Sequence, residues 1–413
     1  MVLGLLIAAC GPAPTASSSA GPSQPATTPP DADAIYRTIA AQVSAIRQLD
    51  APDRVEPVTI DGPTLVANIA KEFEKSNPPA EIAKAERLLK VMGLLPGDAS
   101  LAKIYLELQG SQVIGYYDPT VKELFIVSRD GALGAIEEVT YAHEFTHELQ
   151  DKQFDLNSLG LDTIKDDSDR ALAILSLVEG DAVSAQSAWM VANLTATQLG
   201  EVAAEASDPA MLAVLARTPR ILLETSLFPY QAGATFVAQL QSQGGYASVN
   251  AAYKNPPTTT EQILHPGGLV ASLVPIRLAI PADLGTQFGT GWTETAQDTF
   301  GELQTRVWLR EGGVAGGVAR TAAEGWGGDR LVLMDGPGGA TAAVWATAWD
   351  SVEDAQDFES AARTAIAGLH LDAIVSSDGS RVAMVIRSGG SPEDATLQTV
   401  VRRLVFGPFV INE

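Results

Sequence analysis

The sequence predicts an α+β protein: a larger, helix-rich unit carrying a small β-sheet, followed by a smaller α+β unit. Three observations carry this. Apolar residues recur at helical spacing through most of the stretch from Ala34 to Tyr253. A β-branched and aromatic hairpin interrupts them around residues 112–127. Past residue 267, short strand-like runs separated by Gly- and Asp-containing turns alternate with helical segments. A chain of 413 residues, 46% hydrophobic, is long enough for two folded units and their cores.

The chain opens on the apolar run Val2–Ala9, too short to span a bilayer as a helix. Ile7-Ala8-Ala9-Cys10 resembles a bacterial lipobox, which implies a signal peptide over 1–9 and a lipid on Cys10. No Lys or Arg precedes the run, a departure from that pattern. Cys10 is the single cysteine, so an intrachain disulfide and a thiolate metal cluster are excluded. Residues 10–32 are almost entirely Ala, Ser, Thr, Pro and Gly, a composition that buries no core and predicts a disordered tether. Together these predict an extracytoplasmic protein, anchored to the bacterial cell membrane through lipidated Cys10.

Folded sequence is expected over 33–266, with a boundary near 267. Helices are predicted over Ala34–Leu49, Thr64–Lys75, Ala80–Met92 and Leu101–Leu108. The hairpin then pairs Gln112–Tyr117 with Glu123–Val127 across the turn signal Asp118-Pro119-Thr120. Further helices follow at Ile136–Phe154, Ser168–Asn193, Arg220–Ser242 and Tyr246–Tyr253. The acidic cluster at Asp166, Asp167 and Asp169 reads as N-capping and first-turn charge rather than a calcium site. In the second unit, 267–413, Leu331–Met334, Ala343–Thr347 and Val382–Ile386 read as strands, with helices near Ser351–Ala367 and Pro392–Val405.

The chemistry concentrates in His143-Glu144-Phe145-Thr146-His147. This HExxH pattern is expected by chance only about 0.002 times in such a chain. On a helix, residues i and i+4 face the same way, so both imidazoles can reach one ion. Glu144 projects beside that ion without binding it, placed to take a proton from water activated by the metal. Ile136, Val139, Ala142, Thr146 and Leu149 give the helix a mostly apolar stripe.

A catalytic zinc usually takes a third protein ligand. A metzincin would need Gly at 150 and His at 153, where the sequence has Gln150 and Gln153. Glu148 points about 100° away around the helix. Asp151 would have to stretch back along it, and Asp155 is further still. Glu179, on a second helix among Leu177, Val178, Gly180 and Ala182, can approach from the open side and is the predicted ligand.

The segments Gly115-Tyr116-Tyr117-Asp118-Pro119, Tyr141–Asp151 and Val178-Glu179-Gly180-Asp181-Ala182 together resemble gluzincin-type bacterial secreted and lipoprotein metallopeptidases, over roughly residues 80–266. The resemblance implies a zincin-like domain whose sheet edge, one strand of the hairpin, pairs with extended substrate. Gluzincins often place an Asp four residues after the third ligand to orient a histidine. Here that position is Val183, leaving Asp181 as its substitute. They also commonly use a later His or Tyr on the oxyanion, for which His265 is the candidate, while His370 reads as structural.

The expected function is zinc-dependent hydrolysis of peptide bonds in protein or peptide substrates, with Glu144 as general base. A non-catalytic surface module that keeps the zincin shell is the alternative. A formal charge of −23, from 27 Lys plus Arg against 50 Asp plus Glu, argues against nucleic acid and against basic-patch docking on anionic lipid.

Overall fold

Asp61, Asp167, Thr195, Asp208, Thr259 and Ser351 each accept a hydrogen bond from the first turn of the helix they precede, so local polar residues set many of the element starts. The computed structural model describes residues 32–110, 113–127, 133–267, 274–389 and 391–406. The first unit opens with α1 (Ala32–Arg47), β1 (Val58–Ile60), α2 (Gly62–Ser76), α3 (Pro79–Val91) and α4 (Leu101–Gly110). The hairpin β2 (Gly115–Asp118) and β3 (Glu123–Val127) leads to α5 (Ala135–Phe154) and α6 (Ser168–Asn193). Then come α7 (Ala196–Glu205), α8 (Pro209–Arg217), α9 (Arg220–Gly244), α10 (Tyr246–Ala252) and α11 (Thr260–Leu264).

The second unit holds α12 (Leu284–Phe288), β4 (Thr293–Asp298), α13 (Gly301–Glu311), α14 (Gly316–Ala323), β5 (Trp326–Asp335) and β6 (Thr341–Trp349). It ends with α15 (Val352–Gly368), β7 (Asp372–Asp378), β8 (Arg381–Arg387) and α16 (Asp394–Phe406). The protein is therefore α+β, as the sequence predicts. The expected signal peptide, Cys10 and all of the tether but Ala32 lie outside the described residues, and Ala32 opens α1. The expected boundary at 267 adjoins residues 268–273, which also lie outside them. No helix among the described residues is long and apolar enough to cross a membrane.

The small sheet has the order β1-β3-β2, one strand more than the hairpin. Val58–Ile60 pairs in parallel with Phe125–Val127, and β2 runs antiparallel on the other side of β3. This makes β2 an edge. Ile114 accepts from Val127 on β3 and Asp118 from Lys122 just before it, so by the alternation of an antiparallel ladder the main-chain groups of Gly115 and Tyr117 face away from β3. The five-stranded sheet is antiparallel throughout, in the order β4-β5-β6-β8-β7, with β4 on one edge.

The two units share one apolar core. Leu88, Leu177 and Phe236 of the first lie in the same buried cluster as Trp308, Trp345 and Phe358 of the second. The Trp308 indole N–H also donates to the Met92 carbonyl at 3.0 Å.

Helices α6 and α9 cross closely, and glycines permit it. A Cβ on Gly180 would lie 2.2 Å from the carbonyl carbon and oxygen of Gly233, a separation no side chain tolerates. The glycine beside Glu179 thus has a packing reason that is independent of chemistry.

Candidate metal centre

The HExxH segment lies mid-way along α5, which is buried on nearly every face between α1, α6, α7 and the small sheet. A polar residue in such a place must find a partner or pay desolvation. His143 Nε2 and His147 Nε2 are 3.2 Å apart. Glu179, brought in by α6, sets Oε2 at 3.3 Å from the first and 3.4 Å from the second. These are the three residues whose donor atoms converge among the described His, Cys, Asp and Glu side chains.

The triangle has the dimensions of a tetrahedral ligand set. Three donors bound at about 2.0–2.1 Å to a tetrahedral ion stand about 3.3–3.4 Å from one another, with a fourth position open. Hydrogen bonds at the far side of each ring agree. The Gln150 amide nitrogen donates to the Val178 carbonyl at 3.0 Å and to Asp181 Oδ2 at 3.1 Å, so its oxygen is left to accept from His147 Nδ1 at 2.9 Å. Gln186 Oε1 stands 3.0 Å from His143 Nδ1 in the same role. With the proton held on Nδ1, each Nε2 turns a lone pair toward the other and toward the Glu179 carboxylate, an arrangement that a bound cation or a further ring proton relieves. Burial, the largest single effect, would lower the His147 pKa, but Glu179, with help from Glu144 and Gln150, raises it on balance. Burial would likewise raise that of Glu179, and the two imidazoles hold it below its usual range instead. The residues fit a divalent cation.

Glu144 is buried and lies outside the triangle. Its Oε2 accepts from the Tyr117 main-chain N–H at 3.0 Å, on the outward side of edge strand β2. Burial pushes its carboxyl above the ordinary range, against the pull of His143 and His147. Asp151, one turn beyond His147, is turned elsewhere: it accepts from the Tyr117 hydroxyl at 2.7 Å, Lys122 Nζ at 2.6 Å and the Leu156 N–H at 3.0 Å.

Asp181 anchors the frame. It is fully buried and receives Arg47 Nε at 2.9 Å, the Tyr253 hydroxyl at 2.9 Å and Gln150 Nε2. Arg47 also donates to Asn250 at 2.7 Å and lies over the Tyr246 ring. A chain of contacts thus runs from α1 through Asp181 and Gln150 to His147. Asp181→Ala is expected to cost about 3–5 kcal/mol, because it strands a buried guanidinium. Urea denaturation would read that loss, and a cost below about 1 kcal/mol would show that the network bears little of the stability.

His265 lies elsewhere. Its ring nitrogen Nε2 pairs with Glu302 of α13 at 3.0 Å, at the seam between the units, and His265 does not border the cavity that reaches His147 and Glu179. The structure pairs it with Glu302 and does not bring it among the converging donors. The residue that does stand beside the histidines is Tyr230 of α9, whose ring stacks on His143 with centroids 6.2 Å apart. Sequence reasoning missed it, as it missed Gln186 and Arg47. The acidic cluster behaves as expected in part: Asp167 caps α6, while Asp169 is buried and accepts from the Thr260 N–H at 2.9 Å.

A domain family of unknown function, DUF8575, matches residues 287–405, within the second unit and clear of His143, His147 and Glu179. No curated protein and no solved structure matches the chain.

Proposed function

We propose that the protein is a zinc-dependent hydrolase of peptide bonds, with His143, His147 and Glu179 as metal ligands and Glu144 as general base. The observation that carries this reading is the 3.2–3.4 Å triangle of two imidazole nitrogens and one carboxylate oxygen, with a buried carboxylate beside it that is not part of it. Zinc, when bound, supplies a Lewis acid and lowers the pKa of water.

The chain's own groups supply the rest. Gln150 and Gln186 hold the imidazole protons on Nδ1 and so fix which nitrogen faces the ion. The Tyr117 N–H holds the Glu144 carboxylate in place, where it takes a proton from water and returns it to the leaving amine. Nothing structural requires a carboxylate there: burying one without a charge-neutralising role costs stability. This favours catalysis over a binding module that merely retains the shell.

The test is a proteome-derived peptide library incubated with the zinc-loaded full chain, with and without chelator. Cleavage products that appear with zinc and vanish with chelator are expected. An identical peptide inventory in both arms, from protein of verified zinc content, would remove the peptidase reading.

A further inference from the structure

A cavity of about 1000 Å³ opens on His147 and Glu179. One of its walls is Tyr117, Pro119 and Thr120, at the end of edge strand β2. Another belongs to the second unit: Ala296, Gln297 and Asp298, on β4, which is the edge of the five-stranded sheet. Residues from two edge strands therefore line one cavity, and an edge strand is where an extended chain can add.

The β4 wall is fixed to the same helix that carries Glu179. Asp298 accepts from the Ser168 N–H at 2.8 Å and from the Ser168 hydroxyl at 2.7 Å, and the Asp169 N–H donates to the Thr299 carbonyl at 3.1 Å. The end of β4 is thus tied to the first turn of α6, so wall and ligand share one frame. The lining also carries apolar side chains. Leu175 and Val178 come from α6, and the half-buried Leu159, Leu161 and Ile164 from the connection between α5 and α6. Charged side chains in the lining are of mixed sign, with Lys75, Lys84 and Lys165 against Glu72, Glu81, Asp162 and the wall's own Asp298, besides Glu179 at the metal site.

We propose that residues 296–298 of the second unit form a specificity wall of the substrate cleft, and that the cleft selects an extended peptide with a bulky apolar side chain beside the bond to be cut. The proposal rests on the peptidase reading for its chemistry, and its test separates the two. Ala296 is the informative position, because a larger side chain there shrinks the apolar space from the second unit's side alone.

The experiment uses full-length zinc-loaded protein and pairs of peptides that differ at one residue, Leu or Phe against Ser. Cleavage by wild type should favour the apolar member by about 10–200-fold, the range one apolar pocket supplies. Ala296→Val should reduce that ratio and Ala296→Phe should reduce it further, at unchanged zinc content. Because Ala296 also packs against the shared core, the melting temperature of each variant is measured beside the ratio and only variants that remain folded are compared. Binding of the same peptides to Glu144→Gln protein, read by fluorescence anisotropy, repeats the comparison without turnover. If wild type cleaves nothing yet peptide binding prefers Leu or Phe and weakens in both Ala296 variants, the peptidase reading fails and the cleft stands. No apolar preference in binding, or a preference that the folded Ala296→Val variant leaves untouched, overturns the proposal.

Discussion

Glu179→Ala is expected to lose its zinc on dialysis against a weak chelator, under conditions in which wild type keeps close to one equivalent. Two of the three converging atoms come from one helix and are held by Gln150 and Gln186 whether or not α6 contributes a ligand. The third comes only from Glu179, 3.3 and 3.4 Å from the two nitrogens. Loss of a residue that merely orients a ligand costs about 10–100-fold in metal affinity, and loss of the ligand itself should exceed that. Asp151→Ala is the control, since its carboxylate is turned toward Tyr117 and Lys122. That variant should bind zinc in proportion to the protein that remains folded. Chelation should also lower the melting temperature of wild type, because an ion that binds only the folded state at 100 times its dissociation constant stabilises it by about 2.7 kcal/mol. Chelator should leave the melting of Glu179→Ala unchanged. Equal zinc content in wild type and Glu179→Ala would sink the three-ligand assignment.

How far the sequence exposed this site depends on whether the signal was local. Ser168–Asn193 has the bounds that its N-cap Asp167 and its apolar spacing announce, because capping and periodicity are properties of the segment itself. The HExxH spacing is likewise local to α5. Strand β1 was illegible for the opposite reason: three residues carry no period, and their pairing with Phe125–Val127 is decided by tertiary contact. Strand β4, Thr-Glu-Thr-Ala-Gln-Asp, reads as a polar loop because it is an edge with no fully buried face.

The supporting residues divide in the same way. Gln150 lies three residues after His147 and so on the same helical face, and that spacing alone could have suggested its bond to the ring. Read only as a departure from the metzincin pattern, it left its positive role unseen. Gln186, Arg47 and Tyr230 reach the site from separate helices, and no spacing within one segment relates them to His143. For His265, a place at a helix exit after Pro256-Pro257 could not say which element it would face, and it faces α13.

Glu144→Gln should keep the zinc and the fold and lose about 10²–10⁴-fold in turnover, the share that a positioned general base contributes. The substitution is nearly isosteric, and its amide oxygen can still accept from the Tyr117 N–H that now holds Oε2 at 3.0 Å. What it removes is the ability to take up and return a proton. Zinc content separates this outcome from damage to the ligands, since the residue stands outside the triangle formed by His143, His147 and Glu179. A role confined to packing would leave turnover near normal in the isosteric variant. That result, obtained with full zinc occupancy, would remove Glu144 as the base. Glu144→Asp gives the intermediate case: it keeps a proton acceptor but draws it back by one methylene from the position that Tyr117 defines. Its turnover should therefore fall between wild type and Glu144→Gln, and an ordering in which the aspartate variant is the slower of the two would contradict the assigned role.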